Sequence, residues 1–260
     1  MCPVNLSDRG RPLLTYKRYK SAPIVEAVIE LRVAPKALDL AALHRLAESL
    51  KTDFPKQTPM QWVQMDISAE QGRAIQSLSQ AVIGLRLAKA DDSRILQIRH
   101  DALAYSHMAP YSDWATFKAE ALPLWQQYRA ACPNAKFSRC ALRYINRVDI
   151  PDSKIEPEDY FGLYLNIPKV LSQQDVIGME LSLQMPQHDL DCVANINQRM
   201  IGEPVKPDHI SFILDIDVFR RGIENWGDAE VWAFLDKLRE RKNEIFEACI
   251  TPRTRELIDQ

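Results

Sequence analysis

Ten residues near the start of the chain, Ile24–Val33, constrain the fold more than any other feature. Val25, Ala27, Ile29, Leu31 and Val33 fall on one phase of a two-residue period, and Glu26, Glu30 and Arg32 on the other. A strand written this way has one face to bury and one to leave against water. It therefore belongs to an antiparallel sheet covered on one side, not to a parallel sheet buried on both. The same alternation returns in Phe137–Ile150, Val176–Met185, Leu190–Ile201 and His209–Phe219, and further strands are predicted at Trp62–Ser68, Ala81–Lys89 and Arg94–Met108.

Helices punctuate these strands. Asp39 caps one that carries Leu40, Leu43, Leu46, Ala47 and Leu50 on a 3.6-residue period. Another opens at Ser112 and Asp113, with Trp114, Phe117, Ala121, Leu124, Trp125 and Tyr128 on one stripe and Pro123 predicting a kink. Glu158–Leu165 reads as a short helical turn, and a long helix runs from Asp228 to Thr251-Pro252 with Val231, Phe234, Leu235, Leu238, Ile245, Phe246 and Cys249. The order strand, helix, three strands, helix thus occurs twice. The fold class expected is α+β, with two similar halves, each a curved antiparallel sheet with helices on one face. The boundaries expected are a basic N-terminal arm at 1–21, halves at 22–132 and 136–251, and a tail at 252–260. This topology resembles the duplicated folds of the TATA-binding-protein type, a likeness of architecture that carries no function.

At 260 residues and 46% hydrophobic, the chain buries a real core. Its net charge of −2 offers no long-range attraction to phosphate backbones or anionic lipid, so nucleic acid is disfavoured as a partner. The arm holding Tyr16, Lys17, Arg18 and Tyr19 is the one segment with the mixed basic and aromatic character that touches nucleic acid, and a solvated tail is the plainer reading. The first twenty residues lack the apolar stretch of an export signal, and no run approaches the roughly 18 apolar residues that span a bilayer. Five scattered cysteines without a C-x-x-C pair read as reduced thiols in a cytoplasm, Cys140 and Cys192 as core residues.

Five segments, Ala22–Glu30, Tyr111 with Trp114, Leu142–Arg147, Leu214–Asp217, and Lys242–Phe246 running to Thr251, together resemble a sporadically distributed family of uncharacterised bacterial proteins. The resemblance covers nearly all of the chain after Lys20 and brings no activity with it. Its patchy distribution implies an accessory role in a bacterial defence or toxin–antitoxin cassette.

Phosphate loops, dinucleotide fingerprints, nucleophile elbows and H-E-x-x-H are absent, and 8 glycines leave few loops able to cradle phosphate. What chemistry there is collects on the polar phase of the second half. Asp215 and Asp217 are two residues apart on one strand, with Cα atoms about 6.5–7 Å apart on one face. With Asp149 or Glu180 as a third acid they would hold a divalent cation, the arrangement of a metal-dependent phosphodiesterase or nuclease. Otherwise they pair with Arg143 and Arg147 across strands. Arg143, Arg147, Asp149, Glu180, Asp215 and Asp217 are therefore the candidate ligand-binding residues, with Arg143 and Arg147 suited to a carboxylate or phosphate. Glu26 and Glu30, about 13 Å apart, are too distant for acid–base pairing and read as partners of basic neighbours. The cluster from His188 to Cys192 matches no zinc spacing. The function expected is that of a cytoplasmic binding protein for a protein partner, a second copy of itself or a small polar ligand, with no cofactor. The metal-dependent phosphodiesterase is the alternative.

Overall fold

The structure, a computed structural model, describes residues 19–34, 37–70, 73–173, 175–202 and 208–260, with side chains left aside over 63–79. The expected basic arm lies outside these residues except for Tyr19, Lys20 and Ser21.

The fold is α+β. β1 (Ile24–Val33) leads to α1 (Leu40–Ser49), then β2 (Lys56–Glu70), β3 (Arg73–Ala88), β4 (Arg94–Arg99), β5 (Ala102–Met108) and α2 (Trp114–Ala131). β6 (Phe137–Ile150) follows, then α3 (Pro157–Tyr160), β7 (Glu180–Gln187), β8 (Cys192–Ile201), β9 (Ile210–Arg221), α4 (Asp228–Cys249) and α5 (Pro252–Leu257). Where two sheets were expected, the strands form one nine-stranded antiparallel sheet in the order β2-β3-β4-β5-β1-β6-β9-β8-β7. The join is the central pair β1 and β6, matched from Ile24 opposite Asn146 to Val33 opposite Phe137. Each central strand spends both its hydrogen-bonding edges, β1 on β5 and β6, and β6 on β1 and β9.

Two other expectations are corrected. The single strand expected at Arg94–Met108 is a hairpin, because the chain reverses at His100 and Asp101. The His100 ring bonds the carbonyls of Leu38 at 2.7 Å and Val82 at 3.1 Å, and the Asp101 carbonyl accepts from Val33 N at 2.8 Å. The first half therefore carries four strands between its helices. The expected tail at 252–260 holds α5, with Pro252 at its first turn and the Thr251 hydroxyl at its N-cap.

Local chemistry explains the helix starts. The Asp39 carboxylate accepts from Ala42 N at 2.7 Å and that of Asp113 from Thr116 N at 2.9 Å, each satisfying an orphan donor. α2 runs on through Pro123. The inward phase of the strands, including Ala27, Ile29, Leu31, Leu142 and Ile216, joins Leu43, Phe117, Trp125, Leu235 and Leu238 of the helices in one core. Trp125 stacks between Tyr128 and Phe137, with ring centroids at 5.5 and 5.2 Å. Burial of each such side chain stabilises by about 1.5–3 kcal/mol. Two aspartates of α4 hold α2 beside it. Asp236 accepts from Trp114 Nε1 and Lys118 Nζ at 2.8 Å each, and Asp228 from Trp125 Nε1 at 2.5 Å. These bonds fix the start of α2 near the middle of α4, beside which a cavity opens. Among the described residues no helix is long and apolar enough to cross a membrane.

Candidate functional site

The sheet face turned away from the helices holds most of the residues singled out from sequence, and there they neutralise one another. Arg143 makes a forked pair with Asp215, Nε to Oδ1 at 2.8 Å and Nη2 to Oδ2 at 2.6 Å. Hydrogen bonding to that carboxylate holds the Arg143 guanidinium above its ordinary pKa. Arg139 lies between Asp217, at 2.8 Å, and Glu30 of β1, and its guanidinium covers the Phe219 ring. Burial outweighs pairing for both partners, so the Asp217 carboxyl is raised and Arg139 lowered, each toward its neutral form. Arg147 is bonded to Asp149 at 2.9 Å, and Ser211 also donates to Asp149. Glu180 stands apart on the edge strand β7, opposite Arg199. Neither Asp149 nor Glu180 joins Asp215 and Asp217. Among the described residues no three His, Cys, Asp or Glu side chains gather to hold a metal ion. A shallow hollow of about 240 Å³ does lie on this face, with Glu30, Arg139, Arg143 and Asp217 in its wall.

The His188–Cys192 cluster is structural. Asp189 and Asp191 receive Arg241 and Arg220 at 2.5 and 2.8 Å, anchoring the β7–β8 turn to α4 and β9, while Cys192 is buried. Tyr19, considered from sequence as a nucleic-acid contact, is buried instead. Its hydroxyl donates to Glu247 at 2.8 Å and its ring meets the edge of Phe246.

The larger site is on the helix side. A cavity of about 750 Å³ lies between residues 19–24, the segment from Ala109 to Trp114, β6 and the second half of α4. β6 supplies Tyr144 and Asn146 from its inward phase, and α4 supplies Arg239, Lys242, Asn243 and Phe246, spaced to share one face. The Tyr111 and Tyr144 hydroxyls are 2.9 Å apart, and burial pushes the Tyr111 phenol up to about 12 and Tyr144 well above the usual tyrosine value. Asn146 donates to the Leu214 carbonyl at 3.0 Å.

Lys242 dominates the electrostatics. Only 7% exposed, it places Nζ 3.8 Å from the centroid of the Tyr144 ring, and among the described residues it makes no hydrogen bond or ion pair. Loss of water, reinforced by the neighbouring Arg239, lowers its pKa to about 7 against a smaller opposing pull from Glu247. Glu247 is itself held by Tyr19 and by Arg255 at 2.9 Å, and Asp113 is committed to the α2 cap. The Arg239 guanidinium likewise makes no ion pair among the described residues, and with Lys20 and Lys242 it makes three cations on a wall that also carries Asp113 and Glu247.

No protein-family profile matches this sequence, and no curated protein matches it significantly.

The residues that sequence reasoning singled out lie on the open face of the sheet, whereas the larger of the two hollows lies on the helix side. Tyr144 and Asn146 fall on the buried phase and pass as core, and Lys242 passes as part of the polar stripe of an amphipathic helix. A signal was nonetheless present. Of the five segments that sequence reasoning grouped together, four have residues lining this cavity: Ala22 to Ile24, Tyr111 with Trp114, Tyr144 with Asn146, and Lys242 to Phe246.

Proposed function

We propose that this chain is a binding protein for a small organic anion, seated in the cavity beneath α4. The observation that carries the reading is the buried Lys242 on the cavity wall, which among the described residues makes no hydrogen bond or ion pair. A cation out of water costs several kcal/mol unless an anion meets it, and an entering carboxylate or phosphate removes that cost. Arg239 adds a second cation and a fork suited to either group. The paired phenols and Asn243 offer hydrogen bonds, while Trp114 and Phe246 present apolar surface to the body of the ligand. The cavity volume lies within the roughly 300–1,000 Å³ usual for small-molecule sites.

Titration calorimetry on the full chain tests this with phenyllactate, phenyl phosphate and the uncharged 2-phenylethanol. The two anions are expected to bind at least about tenfold more tightly than the alcohol, a difference of about 1.4 kcal/mol, and Arg239→Met is expected to erase most of the gap. Equal affinity for all three, or binding by none, overturns the reading.

An accessory role in a defence or toxin–antitoxin locus belongs to the same proposal, and housekeeping neighbours in most genomes that carry the gene would count against it. We also read the chain as a duplicated unit whose halves meet at β1 and β6. The strand order supports this, since β5 and β9 flank the central pair and the helices after them, α2 and α4, lie side by side.

A further inference from the structure

The same cavity has features that simple anion binding does not use. Lys242 Nζ rests on the face of the Tyr144 ring, and the hydroxyl of that ring is hydrogen-bonded at 2.9 Å to Tyr111. An amine that makes no hydrogen bond or ion pair among the described residues, beside a pair of linked hydroxyls, is equipped for more than charge attraction. Arg239 lies three residues before Lys242 on α4, so the two heads project to the same side of the helix.

We infer that the cavity captures oxo acids covalently, Lys242 condensing with the carbonyl carbon while Arg239 holds the carboxylate. This deepens the anion-binding proposal and rests on it. The nitrogen lone pair forms the C–N bond. Both amine protons leave with the carbonyl oxygen as water when the C–O bond breaks, and the product is an imine. No oxidant or reductant is consumed. The Tyr111 and Tyr144 hydroxyls, hydrogen-bonded to each other on the same cavity wall, offer a hydrogen bond to the carbonyl oxygen as it leaves. An imine-forming lysine must be neutral at working pH, which desolvation and a neighbouring cation bring about. Lys242 has both, and its pKa, lowered to about 7, makes free amine available at neutral pH. Among the described residues the charged and titratable groups around it are Arg239 and Glu247 of α4, Tyr144 of β6, Tyr111 and Asp113 ahead of α2, and Tyr19 and Lys20.

The test is reductive trapping. The full chain is incubated with phenylpyruvate and cyanoborohydride at pH 7, digested, and mapped by mass spectrometry, with phenyllactate as a competitor that binds but has no carbonyl. The expected result is an adduct on Lys242 formed at least about tenfold faster than on any exposed lysine, with that ratio shrinking toward pH 10. Phenyllactate is expected to suppress it. Wild-type protein suffices, so no variant needs to fold. Adducts spread over surface lysines with Lys242 unmodified, while phenyllactate still binds by calorimetry, overturn the covalent step and leave the binding proposal standing. If phenyllactate does not bind either, both fall.

Discussion

Replacing Lys242 with Met gives the sharpest check on the cavity, because the outcome has a sign, a size and a pH dependence. The folded protein holds this ammonium at about 7, against 10.5 for a free lysine side chain. Below pH 7 the group is protonated in both folded and unfolded chains, and the folded state bears the whole cost of burying the charge. Between the two values the folded state sheds its proton while the unfolded state keeps it. The unfolded chain then binds more protons, and stability rises with pH until about 10.5. The lowering corresponds to about 5 kcal/mol in the limit, of which roughly half is recovered between pH 6 and pH 9. Met has no charge to bury and keeps a favourable sulfur contact with the Tyr144 ring. Urea unfolding followed by far-ultraviolet circular dichroism at pH 6 and pH 9 is expected to show the variant more stable than wild type at pH 6. Its advantage should shrink by about 2–3 kcal/mol at pH 9. The nearby phenols do not share this window, since Tyr19 and Tyr111 are each pushed up to about 12 and Tyr144 higher. Groups common to both proteins cancel in the difference. An advantage identical at the two pH values would refute the argument, because the ammonium would then be solvated and the cavity would carry no uncompensated charge.

Two further outcomes follow from packing. Gln198 is fully buried and neither amide atom has a hydrogen-bond partner among the described residues, so Gln198→Leu is expected to stabilise by about 1–3 kcal/mol. A melting temperature that falls instead would show that water satisfies the amide. Arg139→Met leaves Glu30 and Asp217 without their shared cation and is expected to cost about 3 kcal/mol in urea unfolding at pH 7. Adding Asp217→Asn should restore part of that loss, and an unchanged midpoint in Arg139→Met would remove the pairing from the account of stability.

The fold was largely legible because periodicity is local. Ile24–Val33 and Phe137–Ile150 are strands with the very bounds that alternation assigns, and Asp39 and Asp113 cap α1 and α2 as their positions before apolar stripes require. Pairing is not local. Nothing in β1 or β6 alone states that they are neighbours, so one continuous sheet was read as two. The β4–β5 reversal escaped for another reason. Arg99-His100-Asp101-Ala102 contains neither Gly nor Pro, and the turn is held by a His100 ring that bonds carbonyls 62 and 18 residues away in sequence.

The site shows the same limit more sharply. Alternation says which side chains share a face, not whether they are already spent on each other, and on the open face they are. Arg143, Asp215, Arg139, Asp217, Arg147 and Asp149 form an internally neutral lattice, so a ligand there must first break forked ion pairs. The helix side inverts this. Its polar residues are few and sit among aromatic rings, yet among the described residues Lys242 and Arg239 make no ion pair, and the energy of meeting that charge is open to a ligand. Counting charges from the sequence favours the crowded face, whereas counting unmatched charges favours the sparse one. Only the second count measures what an incoming anion gains.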